Sequence, residues 1–529
     1  MPIVEPPHQQ HFTARMMEIC STRAPWHRRL WRAGTIQLAS ELRDECVRPG
    51  TPESAIADQR KYVRHCLQTD NGISDRGQAV ISSLPSIRPG ISTSDHSWVS
   101  LREYVARYDQ DYLSTWANAL DAVPSPNRPI DVEGAVRRIT AYILDSGMHK
   151  SSLYAWLRDI RDDPTQTPTI GDFLREANQR LKTPLRQYTF CVPVQTTPRF
   201  DLAVAPGWMT ARETSDWKRL HASKAPGVAQ RGSFLVEVSA HDINAAADLA
   251  RTQIANLTTK LQLGSKKPVI VSHSMWSMEK GNELPTQATN RLINVHSVER
   301  LGRLHDLKMS DYITNTLTLV QSLRTGSPHI AIVNGWAAIE SLMVGPSDQA
   351  DIVAAERFAL IVATSMLRAE FSWLSRSYAN THISAEAQAM RECPENIDRA
   401  QLFQKHLQSN PPLALDPLDS LALHRVRPAL SNPRREVEKI TGILTREFTR
   451  LYRKRNMIVH GGQIHESSLH SLSETLAPLI GAGVDRVVHV GLKFDVPPIE
   501  LSAVAESRLH YLTPSTATNP GNLLEVLEF

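Results

Sequence analysis

Cysteine is scarce in this chain. Five occur in 529 residues, at Cys20, Cys46, Cys66, Cys191 and Cys393, and no two form a CxxC pair. That excludes a disulfide framework and a cysteine-based zinc site as organising features, and a reducing, cytoplasmic setting is expected. Long hydrophobic runs are missing too. No apolar stretch approaches the ~20 residues that a membrane-spanning helix needs, so no membrane partner is expected. Met1-Pro2-Ile3-Val4-Glu5-Pro6-Pro7 has neither the basic nor the apolar region of a signal peptide, and none is expected. Nor does charge of one sign dominate: 59 Lys and Arg face 55 Asp and Glu, for a net charge of +4. Nucleic-acid binding would then depend on local charge. Walker A, HExxH and GxSxG patterns are all absent, so no ATP, zinc or other cofactor is expected. His273, in Ser272-His273-Ser274, follows a strand-like run but has no nucleophile-elbow partner and reads as a loop residue.

What the chain has is length and helical periodicity. Its 529 residues exceed one ordinary core and predict two or three domains. The pattern is mainly α, with an α+β middle domain. Residues 1–185 read as mostly helical, with loops near Ser83–Ser94 and Val123–Pro129. Within them, residues 131–160 form two amphipathic segments about Asp145-Ser146-Gly147. Val132, Val136, Ile139 and Ile143 recur in the first; Leu153, Trp156, Leu157 and Ile160 in the second. This pattern fits a helix-turn-helix that enters a DNA groove, and equally a plain helical hairpin with Trp156 in its core.

Residues 186–300 change character. Tyr188–Gln195, Phe200–Ala205, Ser233–Ser239 and Pro268–Ser272 are β-like, and Asp242–Leu263 is an alanine-rich helix, which together predict a small α/β or α+β domain. Residues 305–495 return to helix and read as a bundle. Helices are expected over Ser310–Leu323, Pro328–Met343, Ala350–Met366, Pro433–Val459 and Ser467–Ile480, with an irregular insertion at 378–432. Residues 496–529 read as a C-terminal tail.

The most informative stretch is Tyr452–Gly462, YRKRNMIVHGG. Arg455 and Asn456 stand just ahead of His460, at the end of a strongly helical pattern that Gly461-Gly462 would stop. A histidine titrates near neutral pH, an arginine carries a fixed charge on a planar fork, and an asparagine can orient either partner. Such a trio can cleave RNA without a metal. The Arg-to-His spacing alone proves little, because Arg60/His65, Arg291/His296 and Arg300/His305 repeat it. Asn456, the apolar spacer Met457-Ile458-Val459 and the glycine stop set Arg455/His460 apart. Asn456 and His460 are four residues apart and stack on one helix face; Arg455 lies roughly 140° round the helix from His460. A cation-decorated helix C-terminus that complements its dipole is the competing reading. Basic residues crowd the same helix. Arg450, Arg453 and Lys454 are candidates for RNA phosphate contacts, whereas Arg434, Arg435 and Lys439 interleave with Glu436 and Glu438 and read equally as a solvated face.

Tyr452–Gly462 closely resembles the RN-xxx-H signature of HEPN domains, in particular the Apea-like branch. Trp336-Ala337-Ala338-Ile339-Glu340-Ser341-Leu342 is similar to that branch's upstream helix, where an aromatic precedes an aliphatic-Glu-x-Leu step. The resemblance covers roughly residues 310–495. It implies a C-terminal HEPN-type helical bundle acting as a metal-independent endoribonuclease, with a site formed at a dimer interface. Arg455, Asn456 and His460 would be catalytic and Glu340 a supporting acid. The implied partners are an RNA substrate, a second copy of the chain in a homodimer or higher homo-oligomer, and a regulatory trigger or antitoxin. Families of this type are common in bacterial toxin–antitoxin and anti-phage systems, and residues 1–300 would then keep the nuclease silent until triggered. The alternative is a bundle that serves as a non-catalytic dimerisation or nucleic-acid-binding module, with a DNA- or ligand-sensing N-terminal region.

Overall fold

The computed structural model describes residues 5, 11–73, 77–122, 131–163, 168–196, 206–223, 230–264, 269–279, 281–287, 291–306, 308–409, 413, 415–460, 466–512 and 523–526. It is mainly helical, with one small antiparallel sheet in the middle of the chain. The N-terminal helices are α1 (Phe12–Cys20), α2 (Thr35–Cys46), α3 (Glu53–Thr69), α4 (Gly77–Ser83), α5 (His96–Asp121), α6 (Val132–Asp145), α7 (Lys150–Asp162) and α8 (Ile170–Lys182). The sheet region holds β1 (Arg186–Val194), β2 (Trp208–Thr210), α9 (Ala211–His221), β3 (Gly232–Ala240), α10 (Ile243–Gly264), β4 (Ser274–Ser277) and β5 (Glu283–Pro285). The C-terminal helices are α11 (His296–Arg300), α12 (Asp311–Thr325), α13 (Pro328–Met343), α14 (Val353–Thr381), α15 (Ala385–Glu392), α16 (Asn396–Gln408), α17 (Pro417–Ser431), α18 (Pro433–Val459), α19 (Glu466–Phe494) and α20 (Pro498–His510).

The chain forms two compact units. One gathers Met1–Asp145, Leu157–Arg175 and Arg291–Phe529; the other gathers Ser146–Trp156 and Glu176–Asn290. In the first, α14 is the central helix. Phe358, Ile361, Val362, Phe371 and Leu374 are all buried, and they pack with Trp336 of α13, Leu444 and Phe448 of α18, and Leu472, Ile480 and Val484 of α19 in one apolar cluster. Helix α18 starts on Pro433 with the Asn432 side chain accepting the Arg435 N–H, a start that uses proline's fixed φ and a short polar cap. Leu469–Phe494 of α19 is the one described helix apolar and long enough to cross a membrane, but 78% of that window is buried in the bundle, so its apolar surface serves the core.

Three expectations change here. Residues 378–432 are not an irregular insertion: they hold α15, α16 and α17, which bury Met390, Phe403 and Val426. Polar residues and Pro in this segment are helix starts. Ser384 accepts the Ala387 N–H, and Asp416 accepts those of Leu418 and Asp419 ahead of Pro417. Residues 498–510, expected in a tail, form α20 with Leu501 and Ala505 fully buried. The N-terminal helices are not a separate region either, because α1–α6 belong to the same unit as the bundle. Arg28, 2% exposed, donates to Glu18, to Glu370 of α14 at 2.7 Å and to Asp419 of α17 at 2.8 Å. Arg15 bridges Glu18 and Glu133. Charges are buried this deeply only in pairs, and these pairs join segments hundreds of residues apart.

The second unit is built on a five-stranded sheet in the order β2-β3-β1-β4-β5, every pairing antiparallel. Tyr188, Phe190, Val192 and Val194 of β1 alternate onto one face with Phe234, Val236 and Val238 of β3, and Ala246, Ala250 and Ile254 of α10 cover them. Leu249 is 37% exposed, and Ala247 is buried. Asp242 caps α10, accepting the Asn244 and Ala245 N–H groups. The strand expected at Phe200–Ala205 lies outside the described residues. Of Pro268–Ser272, Val271 makes a single bridge to Val194. The short strands β2, β4 and β5 escaped the sequence pattern because three or four residues are too few to show alternation. His273 lies in a bend. Helices α6 and α7 bracket Gly147, whose φ of +99° is open to glycine at little cost. Trp156 is half-buried rather than core: Arg180 sits over its ring at 3.9 Å.

Candidate active site at the end of helix α18

Tyr452 of α18 rests against the fully buried Trp336 of α13, ring centroids 4.8 Å apart. This contact brings together the two segments singled out in the sequence and sets the depth of the next turn. There Arg455 donates from Nη1 to Asn456 Oδ1 at 2.9 Å. Its Nη2 faces Glu340 Oε2 of α13 at 3.9 Å, with both side chains 28% exposed. That separation permits charge attraction but is too long for a hydrogen bond. His460 ends the helix one turn later, its N–H donating to the Asn456 carbonyl at 3.0 Å. The histidine is exposed, and among the described residues no hydrogen bond or ion pair reaches its ring. Val459 beside it is 52% exposed. Gly461 and Gly462, the expected helix stop, lie outside the described residues. The fold therefore brings Arg455, Asn456 and Glu340 into one cluster and leaves His460 at its edge.

Arg450, Arg453 and Lys454, expected to contact RNA, are placed otherwise. Arg450 is 1% exposed and grips Glu41 of α2 with two hydrogen bonds, of 2.9 and 2.7 Å, while its Nη1 reaches Glu447 at 3.4 Å. Lys454 holds Glu45 at 2.7 Å and Glu41 at 3.6 Å. Arg453 Nε lies 3.5 Å from Glu45. Glu41 and Glu45 are one helical turn apart, as are Arg450 and Lys454, so two ladders of opposite sign meet in register. Burial alone would raise the Glu41 carboxyl, but Arg450 and Lys454 outweigh it and hold Glu41 far below the usual carboxylate range. Glu447 also accepts from the Tyr62 hydroxyl at 2.8 Å and the Ala33 N–H at 3.2 Å. These cations are a structural clamp between α2 and α18, and no RNA phosphate reaches them while α2 is in place. Arg434 and Lys439, at the far end of α18, are paired with Glu438 and Glu436 at the surface. Arg446 is exposed, with its guanidinium over the Tyr62 ring.

Glu41, Glu45 and Tyr62 are the residues that the sequence reading missed. Their signal was the i,i+4 spacing of two acids in one amphipathic helix, matching the spacing of two cations in another. Nearby, Asp145 at the end of α6 accepts from Ser471 Oγ at 2.5 Å and from the Gly34 N–H at 3.0 Å. Burial pushes its carboxyl up to about 6.

Chemically, the Arg455 fork can donate to an oxyanion on its open side, Asn456 holds the fork by one hydrogen bond, and Glu340 stands near enough to offset part of its charge. His460 is exposed at the edge of this cluster. No protein-family model, curated protein or solved structure matches the chain.

Proposed function

We propose that this chain is a metal-independent endoribonuclease of HEPN type. The observation that carries the reading is the convergence of Arg455, Asn456 and Glu340, from two helices far apart in sequence, beside the exposed His460. In this reading His460 takes the proton of a ribose 2′-OH or protonates the leaving oxygen. Arg455 neutralises charge developing on the phosphoryl oxygens, and Asn456 orients it. The products carry a 2′,3′-cyclic phosphate and a 5′-OH, and DNA, lacking the 2′-OH, is not cut. The resemblance to HEPN domains implies a site formed at a dimer interface, so in this reading a second copy of the chain completes it. A role in bacterial defence or toxin-type growth arrest rests on the family resemblance. Control by the N-terminal region would act through α2, which braces the helix that carries Arg455.

The direct test is cleavage of RNA in the presence of EDTA. Wild type cuts, and His460→Ala and Arg455→Ala do not; undiminished cleavage by both variants would sink the site assignment. Light scattering tests the composite site: a strictly monomeric species with full activity would contradict it. A second reading is favoured by the clamp itself. With Arg450, Arg453 and Lys454 consumed by internal pairs, the bundle would be a non-catalytic dimerisation or nucleic-acid-binding module, with the N-terminal region sensing DNA or a ligand. RNA left intact under every condition that promotes dimerisation would support that reading.

A further inference from the structure

Helix α18 has a face that the clamp does not use up. Arg435, Gly442, Arg446, Arg453 and His460 fall within about 40° of one another at 100° per residue. The apolar stripe of Val437, Leu444 and Leu451 lies on the opposite side and is buried. Arg435, Arg446 and His460 are exposed. No described atom outside the helix lies within 4 Å of the side-chain position of Gly442. This face therefore looks outward over most of its length.

Its acids are already engaged. Glu438 holds Arg434 at 2.8 Å and Glu436 holds Lys439 at 3.1 Å. Among the described residues no carboxylate pairs with Arg435 or Arg446, and the Arg446 guanidinium rests 5.2 Å from the Tyr62 ring centroid. Arg453, next along the line, is the loosest member of the clamp. It is 9% exposed, and its Nε stands 3.5 Å from Glu45 Oε2. Its Nε and Nη2 have no hydrogen-bond partner among the described residues, whereas Arg450 and Lys454 are each held by a carboxylate at 2.7 Å. Buried donors left unfilled can be filled by an oxyanion, which suits a guanidinium fork.

We propose that one strand of RNA lies along this face toward His460, with its phosphates on Arg435 and Arg446, and that the end of α2 blocks the path at Arg453. A single line of cations suits one sugar–phosphate backbone. Arg435 to His460 spans about 37 Å at 1.5 Å per residue, the length of about 11 nucleotides at 3.4 Å each. Glu45 is the group that a phosphate must displace to reach Arg453. RNA as the ligand rests on the ribonuclease reading; the path, the length and the block come from α18 and α2 themselves.

The test is binding by the full chain, read by fluorescence anisotropy, of RNA strands with methylated 2′-oxygens, which 2′-OH attack cannot cut. A strand of about 12 nucleotides should bind at least about tenfold more tightly than one of about 4. Arg435→Gln with Arg446→Gln should keep the wild-type Tm, lose about tenfold in affinity for the longer strand and reduce the salt slope by about 1.4. Arg434→Gln, about 100° off the line, should bind as wild type does. Glu45→Gln should bind more tightly than wild type; should it fail to fold, Glu45→Asp, which draws the carboxylate back and keeps its charge, takes its place. Wild-type affinity in the Arg435 and Arg446 variant, or an equal loss in Arg434→Gln, would overturn the track. Unchanged or weaker binding by a folded Glu45 variant would overturn the block. The ribonuclease reading fails separately, if wild type binds the strand in this way and cuts no unmethylated RNA.

Discussion

Lys454 and Arg455 are neighbours in sequence and opposite in circumstance. Lys454 is 4% exposed and sits between two carboxylates, the nearer at 2.7 Å. Arg455 is 28% exposed, and the acid facing it stands off at 3.9 Å. One residue of rotation, about 100° on a helix, separates a cation consumed by the fold from a partly exposed cation near an exposed histidine. Basic residues clustered on one helix are therefore not one functional class. Those facing α2 build the unit, whereas Arg455, facing α13, keeps an open side.

Substitutions on these two faces should act on different properties, activity on one and stability on the other. Arg455→Ala and His460→Ala should each reduce RNA cleavage by about 100-fold or more while leaving the urea midpoint unchanged. A midpoint that falls as far as in a clamp variant would erase the distinction. Next comes stability. Arg450→Ala strands Glu41 and Glu447 in the interior, and a loss of about 3–5 kcal/mol is expected. Pairing it with Glu41→Gln should cost less than the sum of the two single changes; strict additivity would argue against a coupled clamp.

The pH dependence sharpens the same contrast. The carboxyls of Glu41, Glu133 and Glu370 are each subject to a burial effect that raises them, and each is nevertheless held well below its ordinary 4.5 by neighbouring cations. Their contribution is therefore fully present above pH 4.5 and declines as pH falls toward the depressed values. Thermal melts across this range should show acid destabilisation that Glu41→Gln flattens. Asp145 has the opposite sign. Burial raises it from 3.8 to about 6, so the stability it contributes is present at low pH and is lost as pH rises through 6. Asp145→Asn should gain Tm over wild type at pH 8, and the gain should vanish near pH 4. The smallest effect is at Glu340: with the Arg455 pair long and partly exposed, Glu340→Gln should change stability by less than about 0.5 kcal/mol. A loss of several kcal/mol there would mean that Arg455 is clamped as tightly as Arg450.

Helical periodicity made α12, α13, α18 and the apolar stripe Val437–Leu451 legible, because each buries one face along a single element. The contacts of Trp336 with Tyr452 and of Glu340 with Arg455 join two segments that were singled out through the family resemblance rather than through periodicity. The clamp was not. Arg450, Arg453 and Lys454 look like a basic surface until α2 is placed on them, and nothing local to α18 specifies a partner about 400 residues away. The same limit hid the Arg28 network with Glu370 and Asp419. The helices in 378–432 were hidden because a polar capping residue ahead of a short helix, as at Ser384 and Asp416, looks the same as a loop. The middle sheet was only half visible because its outer strands are too short to alternate.

The most direct measurement is the chemistry of the cut ends, made on a chimeric oligonucleotide with one ribonucleotide at the cleavage position and EDTA present. Wild type should leave a 2′,3′-cyclic phosphate and a 5′-OH, His460→Ala should give no product, and replacing that ribose by deoxyribose should abolish cleavage. A 5′-phosphate with a 3′-OH, or cleavage at the deoxyribose, would show that Arg455, Asn456 and His460 are not a ribonuclease site of the kind proposed.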